Sequence, residues 1–174
     1  MLSYAARYYP IWKKLQQLEA NFSESGSKNP KQPRHLNVLE AGSGAEGLAL
    51  FWKGALTSVD LRFKRRPMAR GIAGSVLALP FADASFRAVV SCDLLEHLPP
   101  DHRQAAVLEM LRVCDGSLLL GFPSGAAAGV MYQSLASKWG AAAPDWLMEH
   151  LALGLPDVSE VAGWIEEGGW QVSC

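Results

Sequence analysis

VLEAGSGAEG, residues 38–47, is the stretch on which the interpretation of the whole chain depends. Asn37–Ala41 is a short apolar run of the kind found in buried strands, and a glycine cluster follows it directly. Gly47–Trp52 then has a helix-like apolar pattern. Gly42 and Gly44 carry no side chain, so a ligand can lie against their backbone, where a following helix would present free N–H groups. The stretch predicts a strand, a tight ligand-binding turn and a helix.

The alternation of strand and helix continues beyond this turn. Apolar or β-branched runs predict further strands at Leu56–Leu61, Gly71–Gly74, Phe86–Cys92 and Leu118–Phe122. Asp101 and Gln104 have capping-box spacing, and Gly116 is predicted to end the helix that they open. The same signals recur near the C-terminus at Asp157, Glu160 and Gly168. The order predicts an α/β fold, a Rossmann-like three-layer αβα sandwich with a mostly parallel sheet.

The N-terminal part has a different pattern. Apolar residues recur at helical spacing from Ile11 to Phe22, which predicts an amphipathic helix over residues 10–22 with Pro10 in its first turn. The stretch that follows is rich in Ser, Gly, Pro, Asn and Lys and predicts a linker. The predicted segments are residues 1–22 as a helix covering the cofactor and substrate cleft, 23–36 as the linker, and 37–174 as the main domain, with a substrate-side insert at about 123–156.

Composition limits the class of protein. A chain of 174 residues with 49% hydrophobic residues suits one globular α/β domain, and a net charge of −1 gives no electrostatic reason to expect nucleic acid or an anionic membrane as partner. Three cysteines without metal-ligand spacing predict a reducing, cytoplasmic setting. No signal-peptide pattern and no long apolar span is present, so we expect no membrane segment.

The charge around the glycine turn distinguishes two nucleotide cofactors. Asp60 follows Gly42 by 18 residues, at the end of the next predicted strand, where a carboxylate can accept the hydroxyls of an adenosine ribose. This spacing also fits a dinucleotide site. A dinucleotide would bring a doubly negative pyrophosphate beside Glu40 and Glu46, whereas S-adenosylmethionine brings an ammonium and a sulfonium group. Charge therefore favours S-adenosylmethionine.

At these residues the chain resembles the class I S-adenosylmethionine-dependent methyltransferases. VLEAGSGAEG resembles their motif I, Val59-Asp60 the acidic end of their second strand, and LPFADASF followed by LLEHL the small-molecule "type 11" branch. The resemblance implies an enzyme of this class whose cofactor contacts come from Glu40, Gly42, Ser43, Gly44, Asp60, Leu61, Ser75, Val76 and Cys92. Two positions depart from the family pattern, because Glu46 replaces a frequent third glycine and Ser75 replaces the usual aspartate that holds the adenine amino group.

The segment after the fourth predicted strand is the candidate for catalysis. Ligands bind at the carboxyl ends of strands in open parallel sheets, so Asp93 and His97 are predicted to act there, with His97 as a general base for a protonated acceptor. The alternative is that His97 only hydrogen-bonds at the start of the next helix. Asp93, Glu96 and His97 also resemble a stretch of quinone O-methyltransferases in which a divalent cation can sit. No fourth ligand is evident in the sequence, and we predict no metal.

The acceptor is predicted to be a small molecule, and an apolar or aromatic one if the aromatic residues line its site. Those residues are Tyr4, Tyr8, Tyr9 and Trp12 in the N-terminal helix and Tyr132, Trp139, Trp146 and His150 in the insert. Ordinary core packing explains them equally well. Two alternatives to the enzyme remain at this stage: a module that binds S-adenosylmethionine or S-adenosylhomocysteine without activity, and an NAD(P)-dependent oxidoreductase.

The C-terminal end and one basic segment complete the predictions. The family's sheet has seven strands, and Trp170–Cys174 corresponds to the beginning of the sixth, so we expect a fold that is truncated before its last strand. An open apolar edge at Leu118–Phe122 invites association, so we expect a less stable protein that aggregates or forms a homodimer. Residues 62–70 carry five basic side chains and leave little room for a helix, so they predict a solvated loop, with a contact to an anion or RNA as the alternative.

Overall fold

The computed structural model describes residues 4–24 and 35–173. Two compact units are present, of which the first comprises Met1–Cys92 with Glu109–Gly121 and the second Asp93–Leu108 with Phe122–Cys174. Most of the predicted linker, residues 25–34, lies outside the described residues. No helix within the described ranges is long and apolar enough to cross a membrane.

The first unit contains a five-stranded, entirely parallel sheet. Its strands are β1 (Val38–Ala41), β2 (Leu56–Asp60), β3 (Arg70–Ala73), β4 (Phe86–Cys92) and β5 (Cys114–Gly121). They lie in the order β3-β2-β1-β4-β5, so the chain reverses its direction of winding between β1 and β4. A parallel sheet of this order, covered by helices, is the predicted Rossmann-like fold. The carboxyl ends of β1, β2 and β4 therefore lie side by side.

One face of the sheet is covered by helix α1 (Tyr4–Glu24). Tyr8, Ile11 and Leu15 point from α1 into a cluster of buried residues that includes Val38 and Val90 of the central strands. Their spacing of three and four residues puts them on one side of a helix. The amphipathic pattern in the sequence therefore reflects packing against the sheet.

The opposite face of the sheet is also buried. Neighbouring residues of a strand point to opposite faces, and Leu39 and Val89 are as inaccessible as Val38 and Val90. Central strands that are buried on both faces have nearly continuous apolar sequences, as β4 does. Helix α2 (Pro100–Val113) enters the first unit with its last residues.

The end of α2 is tied to the segment before β4 by charged groups. Glu109 accepts a hydrogen bond from the Leu79 N–H (2.7 Å), and Arg112 donates to the carbonyl oxygen of Phe81 (2.9 Å). Arg112 also contacts Asp83 and Glu109, and these hydrogen bonds raise its pKa and lower that of Glu109. The 79–83 segment is thus held in place ahead of β4.

The second unit is helical. Besides the beginning of α2, it contains α3 (Gly125–Trp139), α4 (Asp145–Leu153) and α5 (Val158–Glu167). Asp157 caps α5 by accepting hydrogen bonds from the N–H groups of Ser159 (2.8 Å) and Glu160 (3.1 Å), and the helix ends before Gly168. The predicted cap and stop of this helix are confirmed.

Several predicted boundaries are wrong. Pro10 lies inside α1, and the buried stripe on both sides of it offsets the backbone hydrogen bond that proline cannot donate. Gly47–Trp52 contains only a 3-10 turn at Gly47–Leu50. Asp101 is already the second residue of α2, so it is not an N-cap.

Gly116 and the C-terminal residues also differ from the prediction. Gly116 does not end α2, because the helix ends at Val113 and β5 begins at Cys114 without a loop. A Cβ at Gly116 would collide with the backbone carbonyl of Arg87, so the glycine is explained by close approach of two strands. Residues 170–173 do not form the start of a sixth strand. Residues 61–69 form the loop predicted from their basic sequence.

Candidate functional site

The glycine turn follows β1 directly and has an open side. Gly42 and Gly44 have φ angles of 77° and 59°, a backbone region that residues with a Cβ rarely adopt. The Gly42 N–H donates to the carbonyl oxygen of Val59 (2.8 Å), which holds the turn against β2. A Cβ placed on Gly44 would meet no atom within 4 Å. Ser43 is buried and donates to the carbonyl oxygen of Gly44 (2.9 Å). A ligand can therefore approach the backbone at Gly44.

Asp60 is attached to this turn by a direct hydrogen bond. Its Oδ2 accepts from the Gly44 N–H at 2.9 Å, and its Oδ1 accepts from the Arg62 N–H at 3.1 Å. Asp60 is half-buried, and each carboxylate oxygen can accept a second hydrogen bond. The carboxylate of Asp60, at the end of β2, is therefore oriented beside the accessible backbone of Gly44.

Glu40 lies behind the turn and has no exposed carboxylate. It is 1% exposed, and both of its oxygens are within hydrogen-bond distance of the Leu48 N–H (2.8 and 2.9 Å). The Tyr8 hydroxyl of α1 donates to its Oε1 at 2.9 Å. A Cβ on Gly47 would lie 2.5 Å from Oε2, so any other residue there would displace the Glu40 carboxylate and would also have to adopt a φ of 46°. Glu40 therefore joins α1, the glycine turn and the 3-10 turn.

This environment changes the acidity of Glu40. Burial raises its pKa to about 7, against the opposing effect of the hydrogen bonds from Leu48 and Tyr8, and the nearby negative charge of Asp60 adds to the rise. The Leu48 N–H, which the sequence predicted to be free for a ligand, is occupied by Glu40. Two carboxyl groups, those of Glu40 and Asp60, now take up N–H groups of the turn that a pyrophosphate would need.

Glu46 lies apart from the buried carboxylate. Its Oε1 is 3.0 Å from a guanidinium nitrogen of Arg65, a residue of the basic loop, and both side chains are substantially exposed. Gly47, one residue later, has the positive φ angle and the close contact that a third motif glycine requires. The departure seen in the sequence is therefore a shift of the glycine by one residue.

The remaining predicted cofactor residues lie on both sides of this turn. The Gly74 N–H donates a hydrogen bond to the Asp60 carbonyl oxygen (3.0 Å), and Ser75 is the residue that follows Gly74. Ser75 Oγ accepts from the Leu77 N–H (3.1 Å), so this hydroxyl shapes a turn, and Val76 is buried beneath it. Leu61 exposes 74% of its surface next to Asp60.

Cys92 ends β4, one residue after Ser91, which is paired with Ala41 at the end of β1. The Ser91 hydroxyl donates to the Ala41 carbonyl oxygen (3.1 Å), and this bond fixes the spacing of β1 and β4 just before the glycine turn. The Cys92 side chain is buried within the cluster that α1 covers. The structure thus gathers all the predicted cofactor residues in the first unit.

The two residues predicted for catalysis, Asp93 and His97, belong to the second unit. Asp93 has a φ of 55°, which aspartate tolerates better than most residues. His97 ends a 3-10 turn, Leu95–His97, and its Nδ1 lies 2.7 Å from Oε2 of Glu149. Its Nε2 lies 3.1 Å from Nε2 of His150, a buried residue of α4. His97 is therefore placed by two side chains of α4.

His150 has a strongly lowered pKa. Burial lowers its pKa to about 4, with a further contribution from His97, so the ring is neutral near pH 7. It stacks on Tyr132 with ring centroids 5.5 Å apart and contacts Trp146 edge-on at 5.5 Å. Three of the predicted aromatic residues are thus gathered in one unit, whereas Tyr8 belongs to the core beside Glu40.

Sequence reasoning missed the partners of these groups. The Tyr8 hydroxyl on Glu40 and the Glu149 carboxylate on His97 join residues 32 and 52 positions apart, and no local pattern marks them. Glu149 is exposed and His150 is buried, although the two are neighbours in sequence, so only the folded structure shows that both contact His97.

The sheet order, the glycine turn after β1 and the acid that ends β2 define a nucleotide-binding domain of the Rossmann-like class. A family model described as a methyltransferase domain matches residues 39–119. No curated protein matches the chain. The matched residues run from β1 into β5 and include the glycine turn and the acid that ends β2.

Solved structures share this fold at low sequence identity. The magnesium protoporphyrin IX methyltransferase of Synechocystis PCC 6803, solved with bound S-adenosylhomocysteine, has a TM-score of 0.57 at 14% identity, over 97% of this chain and 77% of its own. The YcgJ protein of Bacillus subtilis has a TM-score of 0.51 at 17% identity, over 87% of this chain and 67% of its own. The 1,6-didemethyltoxoflavin-N1-methyltransferase of Burkholderia thailandensis has a TM-score of 0.50 at 18% identity, over 92% of this chain and 72% of its own.

Proposed function

We propose that this chain transfers the methyl group of S-adenosylmethionine to a small-molecule acceptor. Methyl transfer is an in-line displacement at the sulfonium methyl, so the protein's main tasks are to bind the cofactor, to align it with the acceptor and to exclude water. The observation that carries the proposal is the direct bond between Asp60 and the open turn at Gly44.

The charge of the turn supports a cationic cofactor. Asp60 keeps free acceptor positions for the ribose hydroxyls, and Glu40, when ionised, favours an ammonium or sulfonium group nearby. A pyrophosphate would have to compete with both carboxyl groups for the N–H groups of Gly44 and Leu48. This competition argues against the NAD(P)-dependent alternative.

The other cofactor residues have proposed roles of their own. We assign the exposed side chain of Leu61 to an adenine face, Ser75 and the Val76 backbone to the adenine edge, and Cys92 to the methionine part of the cofactor. When bound, S-adenosylmethionine supplies the electrophilic methyl group. Glu40 and Gly47 act indirectly, because they hold the turn in shape from behind.

The acceptor side is proposed from the second unit. Tyr132, Trp146 and His150 form a contiguous aromatic group, which suits an apolar or aromatic molecule. His97 is held by Glu149 and is the proposed base when the acceptor atom starts protonated, with Asp93 as a second polar group of the same segment. The three cysteines lack metal-ligand spacing, in keeping with the proposed reducing, cytoplasmic location.

The cofactor site is tested by titrating the protein with S-adenosylhomocysteine in a calorimeter. Asp60→Ala should weaken binding at least about tenfold, the loss expected for one charge-assisted contact to a ribose. Asp101→Ala, an exposed aspartate in α2, is the matched control and should leave the affinity unchanged. Equal affinities for the wild type and Asp60→Ala would remove Asp60 from the site.

Turnover distinguishes an enzyme from a module that only binds. Wild-type protein, S-adenosylmethionine and a panel of phenols, amines, thiols and carboxylic acids should yield S-adenosylhomocysteine with at least one acceptor. Asp60→Ala should reduce this rate mainly through the KM for the cofactor. Tight cofactor binding without turnover on any acceptor of the panel would contradict the proposed transfer to a small molecule.

A further inference from the structure

Three potential metal ligands converge within the second unit. Glu96 and His97 are neighbours in the 3-10 turn Leu95–His97, and His150 comes from α4. One ligand atom from each of the three lies within 4.8 Å of the other two. Glu96 and His150 are buried, whereas the His97 side chain is 35% exposed. Two of the three potential ligands are therefore buried, and the group is open to solvent at His97.

The spacing of the donor atoms suits a tetrahedral ion. Ligand nitrogens bind zinc at about 2.0–2.1 Å, which places two donors of a tetrahedral site roughly 3.4 Å apart. The Nε2 atoms of His97 and His150 are 3.1 Å apart. A carboxylate oxygen of Glu96 lies within 4.8 Å of a ring nitrogen of each histidine.

Glu149 orients His97 in the manner of an outer-shell partner. Metal-binding histidines usually donate their second ring N–H to a carboxylate or carbonyl, which fixes the tautomer and raises the basicity of the binding nitrogen. Glu149 Oε2 lies 2.7 Å from His97 Nδ1, so Nδ1 carries the proton and Nε2 presents its lone pair toward His150. This is the tautomer that a metal ligand requires.

The segment around the cluster is held rigidly. Arg103, itself buried, donates to the carbonyl oxygens of Leu98, Leu153 and Gly154, which ties the residue after the 3-10 turn to the end of α4. The positive charge of Arg103 also interacts electrostatically with Glu96. Ligand groups on such a framework lose little freedom when an ion binds.

We propose that Glu96, His97 and His150 bind a divalent transition-metal ion, with zinc as the leading choice. Two imidazoles and one carboxylate favour ions of borderline softness over magnesium or calcium, which prefer oxygen ligands alone. Three protein ligands leave a fourth position for water or for an oxygen of a bound molecule, as in zinc sites of catalytic type. Asp93 is not one of the three ligands, and His97 can act as the base proposed above only when no ion occupies its Nε2 atom.

The same contacts also describe a hydrogen-bonded chain without an ion. In that case the Nε2–H group of His150 donates a hydrogen bond to Nε2 of His97, and the Nδ1–H group of His97 donates one to Glu149. His150 Nδ1 is then a buried acceptor for which the described structure provides no hydrogen-bond partner. Metal binding at Nε2 moves that proton to Nδ1 without changing the charge of the ring. Zinc titration distinguishes the two descriptions, because only the metal site predicts measurable affinity for the ion.

The experiment uses the whole chain, stripped with a chelator and titrated with Zn²⁺ alone in a calorimeter, and separately with Co²⁺ while its visible absorption is recorded. We expect one ion per chain and the intense visible bands of tetrahedral Co²⁺. Glu149→Gln should weaken binding by about 10- to 100-fold, the range for outer-shell partners, and His97→Ala or His150→Phe should weaken it further. Millimolar Mg²⁺ should not compete.

Two features keep the test decisive. His150→Phe retains an aromatic ring against Tyr132 and Trp146, and a circular dichroism melt reports whether each variant is folded. His102→Ala removes an exposed histidine of α2 and should bind zinc like the wild type. Absence of zinc binding, or binding that His97→Ala and folded His150→Phe leave unchanged, would overturn the proposal. Binding of S-adenosylhomocysteine is measured separately, so failure of the metal site is distinguishable from failure of the proposed function.

Discussion

Glu40 is the residue in which sequence, packing and chemistry are most closely connected. Its carboxyl group is buried by α1 and by the two turns after β1, and it holds them together through Tyr8 and Leu48. A buried carboxyl group has a raised pKa because low polarity disfavours the charged form. Burial sets the pKa of Glu40 at about 7, so its protonation changes within the physiological range.

The pKa of Glu40 predicts a pH dependence of stability. Between pH 4.5 and about 7 the folded protein keeps a proton on Glu40 that the unfolded chain has released, so the free energy of unfolding falls as pH rises through this window. Glu40→Gln cannot bind or release this proton. Its free energy of unfolding should therefore rise relative to that of the wild type by about 3 kcal/mol between pH 4.5 and 7. Urea unfolding at several pH values measures this difference.

The control for Glu40→Gln is Glu167→Gln, which removes an exposed carboxyl group at the end of α5. Its stability difference from the wild type should be constant over the same pH range. The charged and titratable groups that face Glu40 are Tyr8 of α1 and Asp60 of β2, and neither is altered by the substitution. If the stability difference between Glu40→Gln and the wild type is also constant with pH, Glu40 is not buried as described.

At the scale of elements, the helices of the second unit depend on their ends. The last helix, α5, has ten residues, and isolated helices of this length are only marginally stable in water. Asp157 supplies two hydrogen bonds to N–H groups that the helix itself cannot satisfy. The capping pattern was readable in the sequence because it involves residues within three positions of one another.

Replacing the α5 cap tests this contribution. Asp157→Ala should lower the free energy of unfolding by about 1 kcal/mol, whereas Asp157→Asn keeps an accepting oxygen and should cost much less. Ser159→Ala alters an exposed side chain of the same turn and should change stability by less than about 0.5 kcal/mol. Chemical denaturation measures all three, and a loss for Ser159→Ala as large as that for Asp157→Ala would contradict the capping role.

At the scale of the whole molecule, the sheet has two edges among the described strands, β3 and β5. The beginning of β5 carries Asp115, paired with Arg87, and such charges discourage pairing with another chain. Leu118, Leu119 and Leu120 farther along β5 are only partly buried. This is the part of the edge that could pair with a second copy.

We therefore predict association through the apolar part of β5. Light scattering coupled to gel filtration should show a mass that rises with protein concentration from 18.8 kDa toward twice that value. Added S-adenosylhomocysteine should not dissociate the dimer, because the proposed cofactor residues follow β1, β2, β3 and β4 and not β5. A monomer at all concentrations that also melts cooperatively at high temperature would contradict this prediction.

Most of the fold could be predicted because its signals are local. A buried parallel strand is a short apolar run, so β4 was predicted residue for residue, and β1, β2 and β3 within one or two residues. Long-range contacts decided the rest. Gly116 has the appearance of a helix stop, and only its approach to the backbone of Arg87 on β4 shows why glycine is there.

The sequence by itself determined the glycine turn, the acid at the end of β2 and thus the class of cofactor that we propose, because these depend on backbone shape and charge within a single βα unit. The tertiary structure alone decided what each acid does. Glu40 turns inward to Tyr8 and Leu48, whereas Asp60 stays half-exposed at Gly44. It also brought His150 to His97, 53 positions away. Burial and contact between distant residues are properties of the folded chain, so no local pattern could reveal them.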